Sequence, residues 1–185
     1  MNRHTFVASV TAMWMLVPAV VYAQSAPTQA ASTTASNSLP EPDKTFVQAA
    51  SMSSSTEIDA SKLAATRSDS ADVKKFAARM VLDHTKLTLQ LKMAAPKGVV
   101  VPKDNSDVDV LNSLKDLKGK QFDDAYIQKV GVEGHKKALD AFSEEADSGQ
   151  NASLKAAAKK ALPVILHHYQ MAQALASPAK ATSAP

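Results

Sequence analysis

Between residues 43 and 176, apolar residues recur at steps of three and four positions, the spacing that gathers them on one face of an α-helix. Glycine and proline are infrequent in this part of the chain, and alanine, leucine, lysine and glutamine are common. No stretch alternates apolar and polar residues for long enough to indicate a strand. The pattern therefore predicts an all-α domain over residues 43–176.

Capping and helix-breaking residues divide the first half of this domain. A first helix is predicted over about 43–67 and a second over about 70–95, with Ser68-Asp69-Ser70 between them. Residues 96–120 follow as a long connection, in which 106–117 are expected to form a short helix.

The second half of the domain contains two more long helices. The third is predicted to open with Asp123 and Asp124 in its first turn, where carboxylates interact favourably with the helix dipole, and to stop at Gly149. The fourth follows Asn151 and reaches the end of the domain. Pro163 is expected to kink the fourth helix, because its ring removes a backbone hydrogen bond.

The lengths of the connections predict the topology. Two tight helical hairpins joined by one connection of about 25 residues form the layout of a ferritin-like bundle, in which a crossover runs the length of the helices. An up-and-down bundle would need only a short loop at that position. We therefore predict a ferritin-like four-helix bundle with a long crossover connection that carries a short extra helix.

The first 23 residues are typical of a secretory signal peptide. Arg3 precedes an uncharged apolar run over 6–21, and small residues before the bond between Ala23 and Gln24 suit signal peptidase. The run is about 16 residues long and broken by Pro18, which is shorter than the roughly 20 residues of a spanning helix. We expect cleavage, no membrane span afterwards, and a protein that is periplasmic or secreted.

The two segments that flank the domain, 24–42 and 177–185, consist mainly of small and polar residues, and we expect both to be disordered. The chain has no cysteine and hence no disulfide. Loss of Arg3, the one charged residue before Gln24, would lower the formal charge from +3 to +2. This near-neutral charge, with few aromatic residues, argues against nucleic-acid binding, and no protein partner is indicated.

Three of the four apolar stripes are interrupted by a histidine: His84 in the second helix, His135 in the third and His168 in the fourth. Glu57 occupies the matching position in the first helix. Counted from the nearest hairpin turn, these residues are 12 (Glu57), 15 (His84), 15 (His135) and 18 (His168) positions away. At about 1.5 Å per residue, all four side chains are expected to meet near mid-height.

Two interpretations satisfy a carboxylate buried among histidines. Three imidazoles and Glu57 can ligate one transition metal ion, with Zn, Cu, Fe or Mn as candidates. Alternatively the four groups form a hydrogen-bonded polar layer without metal, in which a charged histidine pairs with Glu57. Met80 and Met171, one turn from two of the histidines, are possible soft ligands, but methionine at such positions usually fills a core. His167 is predicted to point away.

Other chemistry is not indicated. A di-iron site needs Glu-x-x-His on two helices, and the positions three before the histidines are Val81, Val132 and Ile165. No nucleophile elbow, phosphate loop or paired acid and base is present, so no enzymatic activity is predicted. The main hypothesis is a ferritin-like protein that binds a metal or gives redox protection, and the alternative is a metal-free structural or interaction module of the cell envelope.

Three ordered segments resemble the bacterial domain of unknown function 4142: FAARMVLDH at 76–84, FDDAYI at 122–127 leading to GH at 134–135, and LP at 162–163 leading to HYQMA at 168–172. The resemblance implies an envelope protein with a signal sequence and a ferritin-like fold. It implies no particular activity.

Overall fold

The computed structural model of the protein describes residues 39–177, and every regular element in that range is helical. The elements are α1 (Glu41–Arg67), α2 (Ala71–Ala94), α3 (Val108–Leu114), α4 (Gly119–Tyr126), a π-helical segment (Ile127–Gly134), α5 (His135–Ser148) and α6 (Ala152–Ala176). The all-α prediction is confirmed. The predicted signal peptide, most of the predicted linker and the predicted tail beyond residue 177 lie outside the described residues.

The helix boundaries differ from the prediction at two places. Helix α1 begins at Glu41, and Leu39 before it is only 7 % exposed, so the folded part begins earlier than residue 43. The third long helix begins at Gly119 rather than close to Asp123, and the prediction was wrong there. Gly119 has a positive φ of 54°, and a Cβ at this position would lie 2.9 Å from an oxygen of Asp69. Glycine suits this position because it adopts positive φ without strain and has no Cβ to meet Asp69.

The two hairpin turns lie at opposite ends of the bundle. The turn at 68–70, beside the start of α4, marks what we term the upper end. The turn at 149–151 marks the lower end, where the backbone N–H groups of Gln150 and Asn151 donate to Asp43 near the start of α1. Helix α2 therefore ends at the lower end and α4 begins at the upper end, which requires the connection between them to cross the full length of the bundle.

Hydrogen bonds hold this crossover against α1. Ser106 Oγ donates to Asp59 at 2.8 Å, and the backbone N–H of Asp107 donates to Thr56 Oγ1 at 2.8 Å. The Asp107 side chain in turn accepts from two backbone N–H groups at the start of α3. One crossover between two hairpins is the connectivity found in ferritin-like folds. In this arrangement α1 packs on α2 and α5, and α6 packs on α2 and α5, with antiparallel neighbours throughout.

The interior contains two apolar clusters separated by a polar layer. The lower core includes Phe46, Leu91, Phe142 and Leu154, and the upper core includes Phe76, Leu114, Phe122 and Tyr126. Between them, at one level, each long helix contributes one of the four polar residues that interrupt the apolar stripes. Within residues 39–177, no helix is both long enough and apolar enough to cross a bilayer.

The π-helical segment interrupts the third long helix just before His135. Gly131 within it packs against α6 so closely that a Cβ at this position would lie 2.7 Å from the Cβ of Ala172. The absence of a side chain at Gly131 therefore allows the wider π turn and α6 to approach each other. Such segments occur frequently at functional sites.

Candidate metal centre

The structure brings the four predicted site residues together in the middle of the bundle. Glu57 and His84 are each 2 % exposed, and His135 and His168 are fully buried. The three imidazole rings form a nearly equilateral triangle, with centroid separations of 5.5 Å (His84–His135), 5.4 Å (His84–His168) and 5.6 Å (His135–His168). Each ring comes from a different helix, so the triangle depends on the packing of the whole bundle.

One nitrogen of each ring faces an acceptor at the edge of the layer. Nε2 of His168 lies 2.9 Å from Oδ2 of Asp83, and Nδ1 of His135 lies 2.9 Å from the backbone carbonyl oxygen of Val130. Nδ1 of His84 lies 2.8 Å from Oε2 of Glu57. Both Glu57 oxygens are without a hydrogen-bond partner within the described residues, and the same His84 nitrogen also lies 3.5 Å from Ser54 Oγ.

The other nitrogen of each ring has no hydrogen-bond partner within the described part of the chain. These atoms are Nε2 of His84, Nε2 of His135 and Nδ1 of His168. The three histidines form a group in which one ligand atom from each lies within 4.8 Å of the others. Since buried polar atoms in native proteins are nearly always paired, three unpaired nitrogens in one layer require an explanation.

The chemistry of the outer partners determines the state of the inner nitrogens. The Asp83 carboxylate and the Val130 carbonyl can only accept hydrogen bonds, so Nε2 of His168 and Nδ1 of His135 carry the proton. In a neutral imidazole the opposite nitrogen then has a lone pair and no hydrogen. A metal cation is one species that such lone pairs can bind, and the three histidines form a group that could hold one.

The pKa values of His135 and His168 favour their neutral forms. Burial lowers the pKa of His168 to about 4, against the opposing effect of Asp83. Burial likewise lowers the pKa of His135. For Glu57, burial acts to raise the pKa, but the adjacent His84 and His135 outweigh it and lower the value. Neutral imidazole is the form that ligates metals, so His135 and His168 are in the metal-binding form at neutral pH.

Glu57 was predicted as a fourth ligand, and the structure places it differently from the histidines. Its Oε2 faces the outer nitrogen of His84, and its Oε1 lies 3.6 Å from the outer nitrogen of His135. Its carboxylate is therefore not part of the group of ligand atoms that the three histidines form. A carboxylate at this position orients the imidazoles and increases their basicity.

Two residues of the centre were not predicted. Asp83 is 9 % exposed and holds His168 while also accepting from Arg79 Nε. Burial would raise the pKa of Asp83, but the hydrogen bonds from Arg79 and His168 lower it. Val130 contributes only its carbonyl. The sequence gives a weak signal for Asp83, an acidic residue four positions after an arginine, and none for a backbone oxygen.

The remaining candidates lie outside the histidine triangle. His167 is exposed, as predicted, although its ring is 6.4 Å from that of His168. Met80 is fully buried in the upper core, and Met171 packs against the same cluster. Both methionines are therefore accounted for as core residues.

The fold and this centre define a class: an all-helical bundle protein whose interior carries a three-histidine group able to hold a metal ion. Residues 26–175 match the family described as Domain of unknown function (DUF4142), and the protein belongs to that family. The match begins inside the segment 24–42 that was predicted to be a linker. No curated protein and no solved structure matches the chain.

Proposed function

We propose that this protein binds one transition metal ion through His84, His135 and His168. The observation that carries the proposal is a buried group of three histidines in which one ligand atom of each lies within 4.8 Å of the others and one nitrogen of each ring has no hydrogen-bond partner within the described residues. Glu57, Asp83 and the carbonyl of Val130 would hold the rings in the binding tautomer from outside.

The ligand set favours zinc or copper among the four predicted metals. Three imidazoles without a carboxylate ligand suit Zn²⁺ and Cu²⁺, whereas manganese prefers oxygen ligands. Zinc–nitrogen distances of about 2.0–2.1 Å would place the three nitrogens about 3.4 Å apart, so each ring would move inward by less than about 1 Å. Three protein ligands leave one coordination position for water or another small ligand.

The location of the centre favours metal storage or redox protection over rapid turnover of a large substrate. His135 and His168 are fully buried, and apolar cores lie above and below the layer. A ferritin-like classification, cleavage after Ala23 and a periplasmic location complete the proposal. Intact mass of the protein released from the periplasm tests the cleavage, since the mature chain should begin at Gln24.

The metal-free alternative rests on the 2.8 Å contact between Glu57 and His84, which is also the geometry of a buried ion pair. In that case a protonated His84 would balance the carboxylate, and the bundle would serve as a structural or interaction module of the envelope. The two functions differ in whether metal accompanies the protein.

The test is the metal content of untagged protein, followed by titration of the metal-free form with Zn²⁺ and Cu²⁺. We expect about one ion per chain. His84→Ala, His135→Ala and His168→Ala should each abolish binding, and His167→Ala is the matched control because that ring is exposed on the same helix as His168. Absence of metal in the purified wild type, together with no heat of binding for either ion, would refute the proposal.

A further inference from the structure

A cavity of about 480 Å³ at the side of the bundle extends inward as far as Glu57 and Val130. It lies between α1 and the third long helix, and the start of α3 borders it. Its inner wall includes Glu57 and Val130, the two groups that contact the outer nitrogens of His84 and His135. The cavity therefore adjoins the histidine layer through residues that hold its rings.

The acidic residues of the cavity lie at successive depths. Asp109 and Glu133 are exposed, Asp107 is half-buried, and Glu57 is 2 % exposed. Against these four carboxylates the wall carries two lysines, Lys129 and Lys137, which are exposed. The balance of charge is negative, and the carboxylate at the inner end cannot be screened by solvent.

Glu57 supplies the independent sign of a ligand. Both of its oxygens are buried, and neither has a hydrogen-bond partner of normal geometry within the described residues. Gly134 lies beside it, and a Cβ there would be 3.7 Å from Oε1 of Glu57. Gly134 therefore places no side chain over a buried carboxylate whose oxygens lack hydrogen-bond partners, and such a carboxylate can accept a cation.

We propose that this cavity is the route by which a divalent metal ion reaches the three histidines, with Glu57 as the last carboxylate that it meets. This inference rests on the proposed function. The carboxylates at the mouth raise the local concentration of the cation, as charged clefts generally do for an oppositely charged ligand. Glu57 replaces lost hydration as the ion leaves water, and the lone pairs of the three inner nitrogens then receive it.

The test is the rate at which the metal-free protein takes up Zn²⁺. The rate is measured in a stopped-flow instrument through the absorbance of a competing chromophoric chelator. The double variant Asp109→Asn/Glu133→Gln changes two exposed side chains and leaves the ligands and Asp107, which caps α3, intact. We expect uptake to slow about threefold or more at low ionic strength, with the difference much reduced in about 1 M salt. The final content should stay at one ion per chain.

The control is Asp116→Asn/Glu144→Gln, which removes the same charge from exposed positions that do not line the cavity. A second variant, Ala141→Phe, narrows the cavity without changing charge, and Ala78→Phe on the exposed face of α2 is its control. Ala141→Phe should slow uptake at every salt concentration.

The outcomes separate the route from the function. If both lining variants load at the wild-type rate, or if the controls slow uptake equally, the route is wrong while the metal site stands. If the wild type takes up no Zn²⁺ and no other metal, the proposed function and the route fall together.

Discussion

Two groups of buried polar side chains in this bundle differ in how their polar atoms are satisfied. One is the pair of Asp43 and Glu145 at the lower end, and the other is the layer of three histidines. At the lower end, Asp43 is fully buried, and its two oxygens accept from the backbone N–H groups of Gln150 and Asn151 at 2.8 and 2.9 Å. Glu145 beside it is 2 % exposed, and burial and the neighbouring Asp43 raise its pKa to about 7. Oε1 of Glu145 has no hydrogen-bond partner within the described residues, and a single proton on Glu145, donated to Asp43, would complete this pair.

The histidine layer cannot be completed in the same way. Protons added to its inner nitrogens would place positive charges against one another in the interior, and burial already lowers the pKa values of His135 and His168. Asp43 and Glu145 thus form a contact between α1 and the turn at 149–151 that one proton can satisfy, whereas three ring nitrogens of the histidine layer stay unpaired within the described residues. The difference indicates that burial of polar groups by itself does not mark a site, but convergence of unpaired acceptors does.

The largest expected effect follows from removal of metal. A ligand present at about 100 times its dissociation constant stabilises the folded state by about 2.7 kcal/mol, which corresponds to roughly 8 °C in melting temperature for a domain of this size. Chelation should lower the melting temperature of the wild type by that amount. It should leave the melting temperature of the His168→Ala variant unchanged. His167→Ala should respond as the wild type does. If chelator changes the melting temperature of none of the three proteins, the histidine layer is a structural polar contact like the pair of Asp43 and Glu145.

The next effect concerns the carboxylate that holds His168. Asp83→Asn replaces an obligate acceptor with an amide that can present either an oxygen or an N–H group to Nε2 of His168. Loss of such an outer partner typically costs about 10- to 100-fold in metal affinity. We expect a decrease of that size in a zinc competition titration, with stoichiometry retained. Asp140→Asn, an exposed acid on α5, should bind as the wild type does.

Much of the fold was predictable because each long helix keeps its apolar spacing. The spacing placed His84, His135 and His168 on the buried stripes, and equal counting from the hairpin turns placed them at one level. The same spacing put Glu57 on the buried stripe of the first helix, and it is buried, whereas Ile58 and Leu63, which lie off that stripe, are half-buried. Side chains that interrupt an apolar stripe are visible in a sequence.

The rest depended on interactions that periodicity does not encode. Asp83 lies beside the apolar stripe of α2 and contacts His168 of α6. Periodicity within one helix does not predict a contact between two helices. The π-helical segment arises where Gly131 packs against Ala172, and it is this local backbone geometry that directs the Val130 carbonyl at His135. The nitrogens that Glu57 contacts on the two neighbouring rings also depend on three-dimensional packing. Residue spacing alone could not decide whether Glu57 is a metal ligand or a partner of the histidines.

A further test concerns the lower end, where the folded part begins before residue 43. Leu39 packs in the lower core, so Leu39→Ala should reduce the free energy of unfolding by about 2 kcal/mol in chemical denaturation. Leu82→Ala, at a position that is 65 % exposed, should change it by less than about 0.5 kcal/mol. Metal content should be the same in both variants. A loss of metal in Leu39→Ala would mean that the two regions are coupled.

The last test concerns the pH dependence of the pair formed by Asp43 and Glu145. The pKa of Glu145 rises from an ordinary value of 4.5 to about 7 in the folded state. Below 4.5 both states are protonated, and between 4.5 and 7 only the folded state holds the proton. The contribution of Glu145 to stability should therefore fall as pH rises across this window and level off above it.

Glu145→Gln should remove this slope, because the amide stays neutral beside Asp43 at every pH. Lys155, the cation that opposes the shift, is retained in the variant. We expect the variant to melt a few degrees above the wild type at pH 8 and close to it at pH 4. The comparison needs metal-free protein, since acid also protonates the histidine ligands and would weaken metal binding in the same range. Glu144→Gln is the control, as its side chain is exposed. If the variant keeps the wild-type slope, the proton does not reside on Glu145, and the pair of Asp43 and Glu145 would be no more complete than the histidine layer.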